Sequence, residues 1–219
     1  PKSARQPETE PSLSIAKEVP ILPIGAAWKY RKGHREPTPD RKGKATIEWT
    51  KPSYNDKRWV QGKTGIGYAD GDDTTVLRDM EGRYVSVFLR KTLPLRLPSA
   101  FDDVVLEVAY DDGYVAYLNG VEIGRSGNMR EAASPPPFDY VVPNNHEVDE
   151  DVDTISLLNY RALIKPPPAL NTIAIQVHNG SKNSSDLSIL PRIVARKYHP
   201  GSIQVTNPHG LWTFRFKPE

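Results

Sequence analysis

Residues 104–125, VVLEVAYDDGYVAYLNGVEIGR, decide the fold class of this chain. The stretch reads as three short strands, separated by Asp-Asp-Gly at 111–113 and by Asn-Gly at 119–120. An Asn-Gly pair favours a tight hairpin because both turn positions accept a positive φ. From Val104 to Tyr110, every second residue is apolar, and this period is typical of a half-buried antiparallel strand. The pattern predicts a pair of hairpins in the middle of one sheet.

Other segments repeat this alternation. Strands are predicted over residues 83–93 and 171–179, which we expect to flank the hairpins, and over residues 186–197. Pro191 lies inside the last of these, so that strand should lie at a sheet edge or carry a bulge. With 21 prolines and no long amphipathic helix, the chain is predicted to be all-β. We expect an antiparallel β-sandwich of about eight to ten strands, with few short helical turns.

The composition excludes several classes of protein. The 219 residues include 29 basic and 27 acidic side chains, a near balance that gives no reason to expect a nucleic-acid partner. The absence of cysteine excludes disulfides and thiolate metal sites. No apolar run reaches the ~20 residues of a membrane span. No signal peptide is visible, and a start at Pro1-Lys2 indicates an excised segment or a mature form.

The chain divides into three parts by pattern. Residues 1–20 are polar and proline-rich, so we expect a flexible arm or linker. Residues 21–197 carry the strand patterns of the sandwich. Residues 198–219 form a C-terminal extension that packs on the sandwich or leads to a next domain. Within the sandwich, residues 126–153 break the pattern and form a long surface excursion, which is either functional or mobile.

Five segments together resemble a known family. They are WKY at 28–30, YNDKRWVQGKTGIGYADGDDTTV at 54–76, YVSVFLRKTL at 84–93, DDGYVAYLNGVEIGRSGNM at 111–129 and NTIAIQVHNGSKNSSDLSI at 171–189. In this order they resemble the galactose-binding-domain-like jelly roll, a module of secreted bacterial enzymes and surface proteins. The segments at 111–129 and 171–189 also resemble the sugar-binding jelly roll of family 2 glycoside hydrolases.

The resemblance implies an eight- or nine-stranded sandwich, often with one structural calcium ion. Many members of the family bind carbohydrate and some bind only protein. Because these modules belong to secreted enzymes and surface proteins, the resemblance also implies a secreted, periplasmic or cell-surface location. The repeated residues are mostly turn and core positions, so the resemblance says more about fold than about ligand.

A calcium site is one interpretation of the loop at residues 65–76. Asp70, Asp72 and Asp73 lie within four positions among glycines, and Ca²⁺ prefers such hard oxygen ligands. The spacing does not match an EF-hand loop. A solvated turn is the alternative interpretation.

No catalytic constellation stands out in the sequence. No two of the five histidines have a metal-ligand spacing, and no G-x-S-x-G, HExxH or phosphate-binding loop is present. Asp111 and Asp112 are adjacent in sequence, so in a strand they would point to opposite faces and could not act as an acid–base pair. We therefore expect a binding module rather than an enzyme.

The candidate ligand-binding residues fall into two groups. Aromatic rings that could stack on a sugar are Trp49, Tyr68, Tyr114 and Tyr117, although core packing is the alternative for each. Polar strand-end residues that could bind sugar hydroxyls are Asp112, His178 and Asn179, near Asp186 if the strand ends cluster. A buried network that fixes the loops is the alternative for the polar group, and the residue types favour it.

The sequence thus predicts a non-catalytic carbohydrate-binding module that holds a larger secreted or surface protein against polysaccharide or glycan. A protein-interaction or scaffold sandwich that contacts neighbouring domains of the same polypeptide is the alternative. A glycan-active hydrolase or lyase is a further alternative.

Overall fold

The computed structural model describes residues 14–69, 71, 73–148 and 152–199, and the backbone of 204–206 and 213–215. In these residues two antiparallel sheets pack face to face, which confirms the predicted all-β sandwich. The four-stranded sheet contains β1 (Ile15–Leu22), β12 (Ser188–Tyr198), β7 (Asp103–Asp111) and β10 (Asp153–Ser156), in that spatial order. The six-stranded sheet contains β3 (Val60–Lys63), β2 (Ala27–Lys32), β6 (Ser86–Leu93), β11 (Asn171–His178), β8 (Gly113–Leu118) and β9 (Val121–Arg125).

Shorter elements lie outside these two sheets. The pair β4 (Ile66–Gly67) and β5 (Thr75–Val76) is parallel, and β13 (Gln204–Thr206) pairs with β14 (Thr213–Arg215). Three 3-10 helices span Glu48–Thr50, Gly127–Met129 and Leu157–Leu163. Within the described residues, no helix has the length and apolar character that crossing a membrane requires.

The main core fills the space between the sheets. Every second residue of β7 from Val104 to Tyr110 faces it, as do Ile173, Ile175 and Val177 of β11, which confirms both predicted alternations. These side chains are at most 4% exposed. Each buried aliphatic side chain contributes roughly 1.5–3 kcal/mol, so this alternation is a main source of stability.

The first turn of residues 104–125 is not a hairpin. β7 pairs with β12 and β10, whereas β8 pairs with β11 and β9, so the chain passes from one sheet to the other at Asp111–Gly113. The second turn is the predicted hairpin, with φ of 51° at Asn119 and 95° at Gly120. The prediction of one sheet was wrong because alternation shows which residues face a core but not which strand pairs with which.

Pro191 lies in an interior strand rather than an edge strand. β12 runs between β1 and β7, and Pro191 pairs with Val108 of β7. On the other side, the ladder with β1 ends at the pair Leu22 and Ile193, so it does not reach Pro191. On that side Pro191 has no strand partner, so part of this interior strand resembles an edge strand, where proline is tolerated.

The sandwich begins earlier than the sequence pattern indicates. β1 starts at Ile15 and pairs antiparallel with β12, so residues 15–20 belong to the four-stranded sheet rather than to a flexible arm. Most of the side chains of β1 are exposed at the sheet edge, apolar Ile15 and Val19 among them, so its apolar residues show no alternation that could identify it. The rest of the predicted arm, residues 1–13, lies outside the described residues, as do the side chains of residues 200–219.

A second apolar layer covers the outer face of the six-stranded sheet. Its centre consists of Trp49, Trp59, Phe88 and Tyr117. Side chains from residues 126–148, the part of the surface excursion before the gap in the described residues, also belong to it; we call this part the 126–148 excursion. The Arg90 guanidinium, which is 2% exposed, donates hydrogen bonds to the backbone carbonyls of Trp49 and Lys51 and to Asp56 Oδ2. These bonds hold the segment of residues 45–59 on the sheet.

Candidate functional site

Polar side chains converge where strands of both sheets end. We call this group the loop-end site. It consists of Asp111, Asp112, His146, Glu147, Asn179 and Asp186. The crossing from β7 to β8 supplies the first two residues, the 126–148 excursion supplies the next two, and the loop from β11 to β12 supplies the last two. Of the strand-end residues named from the sequence, Asp112, Asn179 and Asp186 lie together here, whereas the His178 ring lies apart from them.

Asp112 connects the two loops of the site. Its Oδ2 accepts a hydrogen bond from the Gly180 amide at 2.6 Å, and its Oδ1 accepts one from the His146 amide at 3.1 Å. Gly180 must be small, because a Cβ there would lie 2.8 Å from Asp112 Oδ2 and 2.7 Å from Asn145 Oδ1. These contacts agree with the alternative in which Asp112 fixes the loops, because both of its oxygens serve backbone amides.

Three carboxylates of the site lie close together. One oxygen from each of Asp111, Glu147 and Asp186 lies within 4.8 Å of the others. Asp111 is buried, Asp186 is half-buried and Glu147 is exposed, so the group opens towards solvent. Burial, followed by the negative charges of Asp112 and Asp186, raises the pKa of Asp111 to about 9. Oxygen ligands in this arrangement could hold a divalent cation such as Ca²⁺.

Asn179 and Tyr68 hold the loop that carries Asp186. The Asn179 side-chain amide donates hydrogen bonds to the Tyr68 hydroxyl at 3.1 Å and to the Asp186 carbonyl at 2.8 Å. The Tyr68 hydroxyl in turn donates to the Ser184 carbonyl at 2.7 Å, and burial raises the pKa of Tyr68 to about 12. Tyr68 and Asn179, both predicted ligand-binding residues, therefore lie beneath the site and shape its loop.

His178 lies on the outer face of the six-stranded sheet, under Tyr140. Its Nδ1 lies 2.9 Å from the Tyr140 carbonyl, which can only accept, so Nδ1 carries the proton in the neutral ring. Nε2 is buried and has no hydrogen-bond partner among the described residues. Burial lowers the pKa of His178 to about 4, so this imidazole is neutral at pH 7.

The aromatic rings predicted to stack on a sugar are not exposed at any surface. Trp49 and Tyr114 are each 1% exposed, and Tyr117 is 0% exposed. Tyr114 points between the sheets, where its hydroxyl donates to Asp153 Oδ2 at 2.9 Å, and Trp49 packs on Trp59 at 5.9 Å. Core packing, the alternative interpretation, describes these three rings, because a buried ring has no free face for a pyranose.

The acidic loop at residues 65–76 lies near the same end of the sandwich. Asp70 and Asp72 lie outside the described residues. Asp73 Oδ1 accepts a hydrogen bond at 3.0 Å from Ser188, the residue that pairs with Asp111 across β12 and β7. The calcium site at these three aspartates stays a prediction.

Sequence reasoning missed His146 and Glu147. The His146 ring stacks on Tyr110 at 4.1 Å, and its Nδ1 lies 3.0 Å from the Tyr110 carbonyl. The only available signal was the acidic cluster in the excursion, because a segment without strand pattern cannot be positioned in the fold from sequence alone. The contacts of His146 with Tyr110 and Asp112 show that this part of the excursion lies at the loop-end site.

The comparisons with known proteins give structural matches only. No protein-family model matches the sequence, and no curated protein matches it. Among solved structures, Bacteroides uniformis β-glucuronidase 2 is similar with a TM-score of 0.50 and 13% identity, over 82% of this chain and 18% of that chain.

Two further β-glucuronidases match in the same way. The enzyme of Bifidobacterium dentium has a TM-score of 0.44 and 15% identity, over 77% of this chain and 21% of its own. The enzyme of Faecalibacterium prausnitzii has a TM-score of 0.41 and 12% identity, over 80% of this chain and 22% of its own. The chain shares a fold with one small part of the first enzyme. At 13% identity the likeness to the first enzyme shows the fold alone. The chain spans about a fifth of the length of these three proteins.

Proposed function

We propose that this sandwich is a non-catalytic carbohydrate-binding module that holds a larger secreted or cell-surface protein against polysaccharide. The observation that carries the proposal is the loop-end site, where carboxylates from three separate loops converge on a rigid sandwich and open to solvent. Binding residues are often found on loops that a rigid scaffold positions.

The chemistry of the site suits a ligand rich in hydroxyl groups. Glu147 and Asp186 present carboxylate oxygens at the rim, and hydrogen bonds from a hydroxyl to a carboxylate are roughly twice as strong as neutral ones. Asp112, Asn179 and Tyr68 hold the two loops from below, so the rim needs little ordering when a ligand arrives. The jelly-roll likeness to a small part of a glycosidase is consistent with this function.

The proposal includes one Ca²⁺ ion at Asp111, Glu147 and Asp186. Burial and the negative charges of Asp112 and Asp186 raise the pKa of Asp111, so ionising it beside the other carboxylates is unfavourable, and a divalent cation would make its ionisation favourable. Ca²⁺ takes about six to eight oxygen ligands, so three carboxylates leave positions for loop carbonyls, water or ligand hydroxyls. A bound ion would order the excursion and the loop from β11 to β12.

Titration with soluble polysaccharides tests the function. Affinity electrophoresis and calorimetry with cellulose, xylan, mannan and galactan derivatives, with calcium present, should show binding to at least one of them. Glu147→Gln and Asp186→Asn should weaken that binding about tenfold or more, because each removes a charged acceptor. The matched control is Glu131→Gln, which changes an exposed carboxylate of the same excursion and should leave binding unchanged.

Two outcomes would contradict the proposal. If the chain binds none of these polysaccharides, the alternative of a protein-interaction sandwich becomes the better explanation. If incubation with them releases reducing sugars or unsaturated products, the module is itself an enzyme.

A further inference from the structure

A groove lies on the side of the sandwich where the second apolar layer meets the β8–β9 hairpin. The segment of residues 45–48 forms one wall, the start of β9 forms the other, and Ser134 and Pro135 of the excursion close one end. Its volume is about 500 Å³, within the roughly 300–1,000 Å³ typical of ligand pockets. None of these features belongs to the loop-end site.

Tyr117 lines this groove and carries an unsatisfied hydroxyl. The side chain is 0% exposed, and its hydroxyl has no hydrogen-bond partner among the described residues. The ring packs edge-to-face on Trp49, with centroids 5.8 Å apart, so it is held in place. Burial and the nearby Glu122 raise the pKa of Tyr117, so the hydroxyl stays protonated. Leaving such a group unpaired is unfavourable, and a ligand that hydrogen-bonds to it once the covering side chains move aside would remove that penalty.

The charges at the groove are already compensated within the protein. Arg125 donates to Glu122 Oε1 at 2.7 Å and to Oε2 at 2.8 Å, and the Ser134 hydroxyl donates to the same Oε2 at 2.6 Å. Lys51 pairs with Glu48 on the opposite wall. A groove with paired charges gives little net attraction to an ionic ligand, whereas the Thr46 and Ser134 hydroxyls, which each donate a hydrogen bond within the protein, can accept one from a neutral hydroxyl group.

The remaining walls are aliphatic. Val121 is 45% exposed, and Ile47 and Pro135 are half-buried beside it. Aliphatic surface next to hydroxyl and carboxylate groups matches a sugar ring, which has C–H surfaces and hydroxyl edges. We propose that this groove is a binding subsite for a short segment of a neutral glycan chain, one of whose hydroxyls bonds to the Tyr117 hydroxyl. This inference rests on the proposed function and assigns a second place of contact.

The position of the groove favours a polymer over a single sugar. Gly113 begins β8 next to the loop-end site and Tyr117 lies four residues further along, which is about 13 Å at 3.3 Å per residue. The 126–148 excursion contributes to both places, through His146 and Glu147 at one and through Ser134 and Pro135 at the other. An extended chain could contact both.

Nuclear magnetic resonance titration locates the ligand directly. Neutral hexasaccharides of cellulose, xylan and mannan are added to the ¹⁵N-labelled chain in the presence of calcium. The amides of Thr46, Val121 and Glu122 should shift with a saturable dose dependence for at least one of them. If another region shifts and these amides do not, the groove is not a subsite.

A matched pair of substitutions tests the groove by affinity. Val121→Arg places a long charged side chain at the rim and should weaken binding at least tenfold. Val60→Arg makes the same change at the opposite edge strand of the same sheet, where Val60 is 55% exposed, and should leave affinity unchanged. Equal melting temperatures of the two variants would show that the comparison reports on binding.

A second pair tests the hydroxyl. Tyr117→Phe keeps the ring and should weaken binding about three- to tenfold, whereas Tyr84→Phe, a buried tyrosine whose hydroxyl lies 3.3 Å from Asp79 Oδ1, should not. If Val121→Arg and Tyr117→Phe both bind like the unchanged chain while Glu147→Gln does not, the groove inference fails and the proposed function stands. If the unchanged chain binds none of the probes, both fail.

Discussion

The carboxylate of Asp112 accepts a hydrogen bond from the Gly180 amide at 2.6 Å, and this contact joins the crossing between the two sheets to the loop from β11 to β12. The other oxygen of Asp112 accepts from the His146 amide in the excursion. One side chain therefore ties together three segments that are far apart in the sequence. The convergence of carboxylates at the loop-end site depends on it.

Replacing Asp112 should loosen both loops. Asp112→Ala removes the acceptor of two backbone amides, so we expect a loss of about 2 kcal/mol in the free energy of unfolding. Urea unfolding measures this loss, and hydrogen exchange at the Gly180 and His146 amides should accelerate. The control is Asp40→Ala, because Asp40 also accepts from two backbone amides, those of Lys42 and Lys44, but is exposed. An equal loss in both variants would contradict the role given to Asp112.

Calcium should stabilise the chain through Asp111. At a hundredfold excess over its dissociation constant, a bound ion contributes about 2.7 kcal/mol, which raises the melting temperature. Asp111→Asn should remove this response. It should also stabilise the calcium-free chain by on the order of 1 kcal/mol, because it removes a carboxyl that is buried and lies beside the charges of Asp112 and Asp186.

Asp73→Asn distinguishes between the two candidate locations of the calcium ion. If it leaves the calcium response intact while Asp111→Asn removes it, the ion binds at the loop-end site. The reverse result would support the site predicted at Asp70, Asp72 and Asp73. No change in melting temperature with either EDTA or added calcium would exclude both sites.

The contribution of His178 to stability should fall in mild acid. Burial lowers its pKa from the ordinary value of 6.5, which holds in the unfolded chain, to about 4 in the folded chain. Below pH 6.5 the unfolded chain therefore binds a proton that the folded chain does not. Stability from this residue is present above pH 6.5 and is lost as pH falls towards 4, by on the order of 3 kcal/mol in total.

Urea unfolding between pH 4 and pH 8 measures this dependence. His178→Gln removes the titrating group, so the free energy of unfolding of the unchanged chain minus that of this variant should fall as pH drops from 6.5 to 4. The same difference for His34→Gln, at an exposed position, should not change. A difference for His178→Gln that stays constant over this range would contradict the assignment to this residue.

Arg90 should hold the wall of the groove. A lysine ammonium cannot reproduce the guanidinium's bonds to the Trp49 and Lys51 carbonyls and to Asp56, so Arg90→Lys should destabilise the chain by about 2–3 kcal/mol. Intrinsic tryptophan fluorescence should shift to the red as Trp49 gains exposure. Lys91→Gln, which removes a single bond to the Ala27 carbonyl, should do neither. Unchanged fluorescence in Arg90→Lys would mean that packing alone holds residues 45–59.

Much of the fold could be predicted because it depends on local pattern. The alternation from Val104 to Tyr110 and from Ile173 to Val177 identified the core faces, and Asn119-Gly120 identified the β8–β9 hairpin. The failures were the strand β1, whose mostly exposed side chains show no alternation, and the turn at Asp111–Gly113, where the chain changes sheets. Pairing between strands that are distant in the sequence decides both, and no local pattern reports it.

The same distinction between local pattern and distant packing applies to the candidate sites. The sequence by itself determined the kind of fold, the lack of cysteine chemistry and the set of polar residues at strand ends, because period and turn chemistry are local properties. Only the tertiary structure decided that Asp111, Glu147 and Asp186 meet, that Trp49 and Tyr114 are buried, and that Tyr117 lines a groove. The physical reason is that burial and carboxylate proximity arise when distant segments pack, above all the excursion of residues 126–148.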